Sequence, residues 1–276
     1  RLDGAFAEGV ELGLVRPGTS LLGATGGTPI DLSHLGLLAP VWGGDPDAVA
    51  VVRTSGSTGT PKQIVLTGTA LRASAAATAR WLGGEGAWLL ALGVHYVAGL
   101  AVLSRSIAAG TAPVALPPGP FTPAAFATGA AALPDDAGPR LVSLVPTQLA
   151  RLLAADADPA GRAALRSFDR VLVGGARLDP ALRAAAEAAG VRLTATYGMA
   201  ETCGGCVYDG LPLPGVEIGT TAEGRVTLTA PWVTRGWLVD GKLVTSRAHA
   251  GGQGARIEDA PPAPDGTPRR TLITDD

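Results

Sequence analysis

Cysteine is scarce in this chain: only Cys203 and Cys206 occur among 276 residues. That excludes a disulfide framework and fits a reducing cytoplasm, the expected location. Their C-x-x-C spacing is that of a redox pair or of half a zinc site. Zinc would require two more ligands, and the three histidines, His34, His95 and His249, lie scattered. No apolar run reaches 18 residues, so no membrane-spanning helix is expected. The opening Arg1-Leu2-Asp3-Gly4 is no signal peptide, and the lack of an initiator Met leads us to expect a few preceding residues. Long basic blocks are missing and the formal net charge is −2, which argues against nucleic acid as the main partner. No repeats or heptads stand out. What the chain has is 46% hydrophobic and 17% charged residues, enough for a sizeable core in one large domain or two modest ones.

The densest chemical signal is Thr54-Ser55-Gly56-Ser57-Thr58-Gly59-Thr60-Pro61-Lys62. It follows a short apolar run, residues 48–52, that reads as a buried strand. Glycine lets backbone approach a ligand, and successive N–H groups and hydroxyls form a concave donor surface for an anion. Lys62 adds a mobile positive charge, and Pro61 stiffens the turn before it. The stretch reads as a phosphate-binding loop; the plainer alternative is a Ser/Thr/Gly turn between two strands. It is not a Walker A loop, because Pro61 precedes Lys62 and Gln63 follows it.

Along the chain, residues 1–46 form a short Gly-, Pro- and Leu-rich lead, with a short helix or strand at 8–15. Residues 63–66 read as a returning strand, and Thr67 as the N-cap of an Ala-rich helix to about Leu82, stopped by Gly83-Gly84. Strands are then expected at 88–92, 112–116, 140–145, 170–173 and 191–196. Helices are expected at 97–109, from Pro123 to about 133, from Pro146 to 155, and from Pro180 to Gly190. This alternation predicts an α/β fold with parallel sheets flanked by helices over residues 47–210. Residues 211–276 read as a smaller, mostly β subdomain, with strands at 216–218, 225–229 and 242–245. Asp240-Gly241 gives a hairpin signal, and residues 261–270 read as a loop or linker.

In a parallel α/β sheet, ligands gather at the carboxyl ends of the strands. Four stretches are expected there: the phosphate loop, Gly93-Val94-His95-Tyr96, Gly174-Gly175-Ala176-Arg177, and Tyr197-Gly198-Met199-Ala200-Glu201-Thr202. Gly174 and Gly175 let backbone lie flat against a planar base, although an ordinary strand-to-helix turn has the same composition. Tyr197 offers an aromatic face. Glu201 is a hard oxygen ligand suited to Mg²⁺, or else a surface carboxylate. His95 is either functional or a histidine at the edge of the core.

In all four places, and in the same order, the chain resembles the adenylate-forming superfamily of acyl- and aryl-CoA ligases, carrier-protein adenylation domains and luciferases. The resemblance runs from Ala48 almost to the end. It implies ATP, Mg²⁺ and CoA as cofactor and co-substrates. It implies nucleotide binding by Thr54, Ser55, Gly56, Ser57, Thr58, Gly59, Lys62, Gly174, Gly175, Ala176, Tyr197, Gly198 and Thr202. Metal binding would fall to Glu201, and the family's ribose-binding Asp is matched by Asp276 in Ile273-Thr274-Asp275-Asp276. Ala200 stands where the family usually has Thr or Ser.

The run from Tyr197 to Gly210 and the short lead before the phosphate loop are most similar to the o-succinylbenzoate–CoA ligase family of menaquinone biosynthesis, in its short actinobacterial form. That likeness implies that His95 and Arg105, with Gly198 and Met199, hold an aromatic dicarboxylate. A guanidinium can pair bidentately with a carboxylate, although Arg105 could equally be a solvated helix charge. Lys62, Glu201 and His95 are the implied catalytic residues. Relatives continue past the ribose-binding Asp into a small lysine-bearing domain, so the expectation is a fragment with little activity alone. Two alternatives stay open: another aryl- or fatty-acid–CoA ligase of the superfamily, or a nucleotide-binding module without catalysis.

Overall fold

The computed structural model describes residues 10–12, 47–54, 62–117, 119–240, 242–246 and 255–274. Three sheets organise them. The first contains β1 (Val10–Leu12), β2 (Ala48–Thr54), β3 (Lys62–Thr67), β13 (Trp237–Val239) and β14 (Lys242–Val244), in the order β1-β2-β3-β13-β14. All its pairings are antiparallel.

Helix α1 (Gly68–Leu82) follows β3 directly. The Thr67 hydroxyl accepts from the Ala70 N–H at 3.1 Å, and Gly83 closes the helix in the left-handed conformation at φ 80°. Both ends lie where the sequence predicted them, because hydroxyl N-caps and left-handed glycines satisfy the orphan backbone groups of a helix.

The second sheet has seven strands. Along the chain, strands and helices alternate as β4 (Ala87–Leu90), α2 (Val97–Ala108), β5 (Val114–Ala115), α3 (Pro123–Ala131), β6 (Arg140–Leu144), α4 (Pro146–Leu153). Next come α5 (Pro159–Arg166), β7 (Arg170–Val173), α6 (Pro180–Ala188), β8 (Leu193–Met199), β9 (Gly204–Tyr208) and β10 (Leu211–Pro212). The strand order is β10-β9-β8-β7-β6-β4-β5, with β8 to β5 parallel and the β9 and β10 edge antiparallel.

Side chains alternate across this sheet as period 2 requires. Trp88, Leu141 and Leu172 join one cluster with α1, α2 and the first sheet. Leu89, Val142, Val171 and Val173 join another with α3 to α6. Helices therefore cover both faces, as parallel strands need.

A third, antiparallel sheet has the order β11 (Glu217–Thr220), β12 (Val226–Ala230), β16 (Arg269–Ile273), β15 (Arg256–Ala260).

The structure adds helix α5, absent from the sequence reading, and differs from that reading in four further respects. First, β3 returns antiparallel to β2 as expected, but the pair lies in a sheet apart from the parallel strands, so the phosphate loop does not sit at the end of a parallel strand. Second, the 210/211 boundary does not divide the sheets. β13 pairs with β3 through Trp237 and Ile64, so β13 and β14 complete the sheet that holds β1, β2 and β3. Third, β8 runs on through Tyr197, Gly198 and Met199, because β9 folds back on it. Fourth, residues 256–260 and 269–273 pair as β15 and β16, which confines the linker to the residues between them.

Candidate active site

Three of the four chemical stretches lie at the carboxyl ends of parallel strands. His95 and Tyr96 follow β4, with ring centroids 4.1 Å apart. Their turn is pressed onto the start of α2: the Tyr96 N–H donates to the Gly93 carbonyl at 3.0 Å. A Cβ on Gly99 would lie 2.3 Å from that same carbonyl oxygen.

Gly174, Gly175 and Ala176 follow β7. Gly175 has φ 79°, a left-handed backbone that favours glycine. A Cβ on Gly174 would meet the Thr196 hydroxyl oxygen at 2.2 Å, so only glycine lets this turn lie against β8.

Tyr197 is 48% exposed at the end of β8, beside a register shift between Tyr197 and Gly198. Such a bulge re-aims the side chains around it. Gly198 is squeezed between strands: a Cβ there would sit 2.0 Å from the Gly204 carbonyl oxygen.

The chain then enters a single 3-10 turn, Ala200–Thr202. Glu201 is only 8% exposed. One of its carboxylate oxygens accepts from the Trp237 indole N–H at 3.1 Å, and the other has no partner among the described residues. Oxygen ligands of this kind suit a hard divalent cation, so the residue present fits Mg²⁺.

Thr202 requires a correction. Its hydroxyl accepts from the Met199 N–H at 3.0 Å and lies within donating distance of the Met199 and Gly204 carbonyls, at 3.1 and 2.8 Å. Buried, with its one hydroxyl proton committed to a backbone carbonyl, the Thr202 side chain builds the turn and has no hydrogen left to donate to a phosphate. The methyl of Ala200 is also buried in the core.

The first stretch is framed by its ends. Thr54 closes β2 and Lys62 opens β3, and the two are opposite partners in the ladder. Ser55, Gly56, Ser57, Thr58 and Gly59 lie outside the described residues, as does Asp276.

Arg105 is not brought beside His95. It is eight residues along α2 from Val97, about 12 Å of helical rise. It is 7% exposed, and its guanidinium carbon lies 5.0 Å from the Trp88 ring centroid. Nη2 donates to the Tyr208 hydroxyl at 3.1 Å, while the buried Nε has no hydrogen-bond partner and no carboxylate pairs with this cation among the described residues. It lines a narrow cavity with Thr78, Glu85 and Leu141. A solvated helix charge is therefore excluded.

One contributor was not singled out from the sequence. Gln148, in the first turn of α4, accepts from the Val145 N–H at 3.1 Å and donates to the Ala91 carbonyl at 2.9 Å. It ties the end of β6 to the end of β4. The available signal was its position three residues after a strand end, at a helix start.

The cysteines are internal. Cys203 is a free, fully buried thiol that donates to the Trp232 carbonyl at 3.2 Å. Burial pushes it up to about 12 and also raises Cys206. A thiol held protonated is a poor nucleophile and metal ligand.

A family model described as AMP-binding enzyme matches residues 27–240. The chain belongs to this family. It is similar to a probable 2-succinylbenzoate–CoA ligase of Mycobacterium tuberculosis, 46% identical over 198 residues, which are 70% of this chain and 49% of the relative. It is also similar to the 2-succinylbenzoate–CoA ligase of Salmonella typhimurium, 34% identical over 206 residues, 71% of this chain and 41% of that one. Among solved structures, Escherichia coli MenE with a bound m-phenylether-linked analogue of OSB-AMS superimposes with a TM-score of 0.59 at 27% identity. That match covers 81% of this chain and 47% of MenE. The chain spans about half the length of the curated relatives it matches. No helix among the described residues is long and apolar enough to cross a membrane.

Proposed function

We propose that this AMP-binding chain carries the nucleotide and acid sites of a 2-succinylbenzoate–CoA ligase. In the whole protein the acid carboxylate attacks the α-phosphate of ATP and releases pyrophosphate. The CoA thiol then displaces AMP from the acyl-adenylate. The observation that carries the reading is the 46% identity over 198 residues to a protein so named. The gathering of residues 93–96, 174–176 and 197–201 at one end of the parallel strands supports it.

In this reading Thr54, Lys62 and residues 55–59 hold phosphates. The backbone of Gly174, Gly175 and Ala176 and the exposed ring of Tyr197 border the base, with Gly198 and Met199 beside the acyl group. Asp276 takes the ribose hydroxyls. His95 orients the acid at the strand ends, and Glu201 holds Mg²⁺. Bound there, Mg²⁺ would neutralise phosphate charge. The enzyme residues themselves work by positioning and charge complementarity.

Arg105 is assigned to the acid's second carboxylate. A buried guanidinium with an unsatisfied Nε and no acidic partner among the described residues is costly unless an anion completes it.

Calorimetric titration with a non-hydrolysable succinylbenzoyl-adenylate, beside the same compound lacking the ring carboxylate, tests this without altering the protein. The expected loss on removing the carboxylate is about 1.5–3 kcal/mol, the range for a charged hydrogen bond. Equal affinity for the two compounds would point to a different aryl or fatty acid. Failure of both to bind would remove the nucleotide site itself.

A further inference from the structure

Glu201 is held twice, and both holds come from the same four residues. The Thr234 N–H donates to the Glu201 main-chain carbonyl at 2.8 Å, and the Trp237 indole N–H donates to its carboxylate at 3.1 Å. Residues 234–237 are in turn knitted to β3. The Thr234 hydroxyl donates to the Val65 carbonyl, the Val65 N–H donates to the Gly236 carbonyl at 3.2 Å, and Trp237 pairs with Ile64. Ile64 is two residues from Lys62, where β3 leaves the phosphate-binding stretch.

The fit is tight. Trp237 has no solvent exposure, and a Cβ on Gly236 would lie 2.2 Å from the Val244 carbonyl oxygen. The only side-chain donor given to the Glu201 carboxylate among the described residues is this indole.

From this we infer that Trp237 is a positioning residue: its indole N–H fixes one Glu201 oxygen and leaves the other directed at a divalent cation, in register with the strand that carries Lys62. The inference rests on the proposed role of Glu201 as metal ligand. Its physical basis is that a ligating carboxylate needs an outer hydrogen bond to hold its orientation, and loss of such a bond costs about 10- to 100-fold in metal affinity. Here the donor comes from the first, antiparallel sheet while the carboxylate comes from the turn between β8 and β9 of the seven-stranded sheet, so the contact ties the two halves of the site together.

The test compares the chain with Trp237→Phe, Trp237→His and Glu201→Gln. Phenylalanine keeps an aromatic ring without a donor, whereas a histidine Nε2–H can overlay the indole N–H. ATP binding is measured calorimetrically with excess Mg²⁺ and with EDTA, and the ratio of the two affinities is the readout. The indole N–H resonance of Trp237 is followed by NMR in metal-free protein.

The expected result is a Mg²⁺-dependent gain reduced about tenfold or more by Trp237→Phe, recovered by Trp237→His, with ATP binding in EDTA unchanged. Glu201→Gln should abolish the gain and move the indole resonance before any metal is added. Equal losses with and without Mg²⁺ in Trp237→Phe, or no recovery by Trp237→His in a protein that melts normally, would overturn the positioning role while leaving Glu201 as ligand. A full Mg²⁺-dependent gain in Glu201→Gln would overturn the metal reading and this inference with it.

Discussion

The Arg105 guanidinium reaches the Tyr208 hydroxyl at 3.1 Å and so links helix α2 to the antiparallel strand β9. The same hydroxyl lies 3.3 Å from Thr78 on α1, and the Tyr208 ring meets Trp81 edge-on at 5.0 Å. One tyrosine thus joins two helices and the sheet edge. Tyr208→Phe keeps the ring packing and removes the partner of a buried cation. Loss of a hydrogen bond to a charged group predicts a destabilisation of about 1.5–3 kcal/mol in urea unfolding. A loss under about 0.5 kcal/mol would mean that the hydroxyl carries no part of the link.

Glycine acts differently at two positions, and stability measurements can separate the two. Gly83 has φ 80° with open space around its missing side chain, so Gly83→Ala should cost about 1–2 kcal/mol from backbone conformation alone. Gly198 lacks room: its Cβ would meet the Gly204 carbonyl at 2.0 Å, forcing β8 and β9 apart. Gly198→Ala should therefore also remove nucleotide binding, whereas Gly83→Ala should leave it intact. Equal binding by both variants would contradict the close approach of the strands.

The alkaline limb of stability should be set in part by Cys203. Its folded value is raised from 9.0 to about 12 by burial. A raised value means that the folded state holds the proton more tightly than the unfolded chain. This contribution is fully present below pH 9 and declines as pH rises from there to about 12. Urea midpoints measured from pH 8 to 11 should fall above pH 9, and Cys203→Ala should flatten that fall. An identical slope in the variant would show that other groups control it.

Much of the architecture was legible in local sequence. Thr67, Thr122 and Asp179 each cap the helix that follows them, because a short hydroxyl or carboxylate before an apolar-periodic run satisfies orphan N–H groups by itself. Strand β7 matched its predicted range because a short buried run needs only length and β-branching to be recognised. The chemical stretches at 93–96, 174–176 and 197–201 were visible for a related reason: each sits where a strand ends, and strand ends can be read from the alternation of elements.

What the sequence could not supply came from contacts between distant segments. Strand β9 opens on Gly204-Gly205, which by composition reads as a turn; it is a strand because glycine lets it approach β8 closely enough to pair. β13 belongs with β2 and β3 only because Trp237 packs beside Ile64, a pairing 173 residues apart in the chain that no local pattern encodes. The resemblance put Thr202 among the nucleotide-binding residues, whereas the fold commits its hydroxyl to Met199 and Gly204. The sequence by itself determined which residues could do chemistry and at which strand ends they stand, since period and capping are short-range. The tertiary structure decided which of them keep an atom to spare, because hydrogen bonds and burial depend on what the rest of the chain brings alongside.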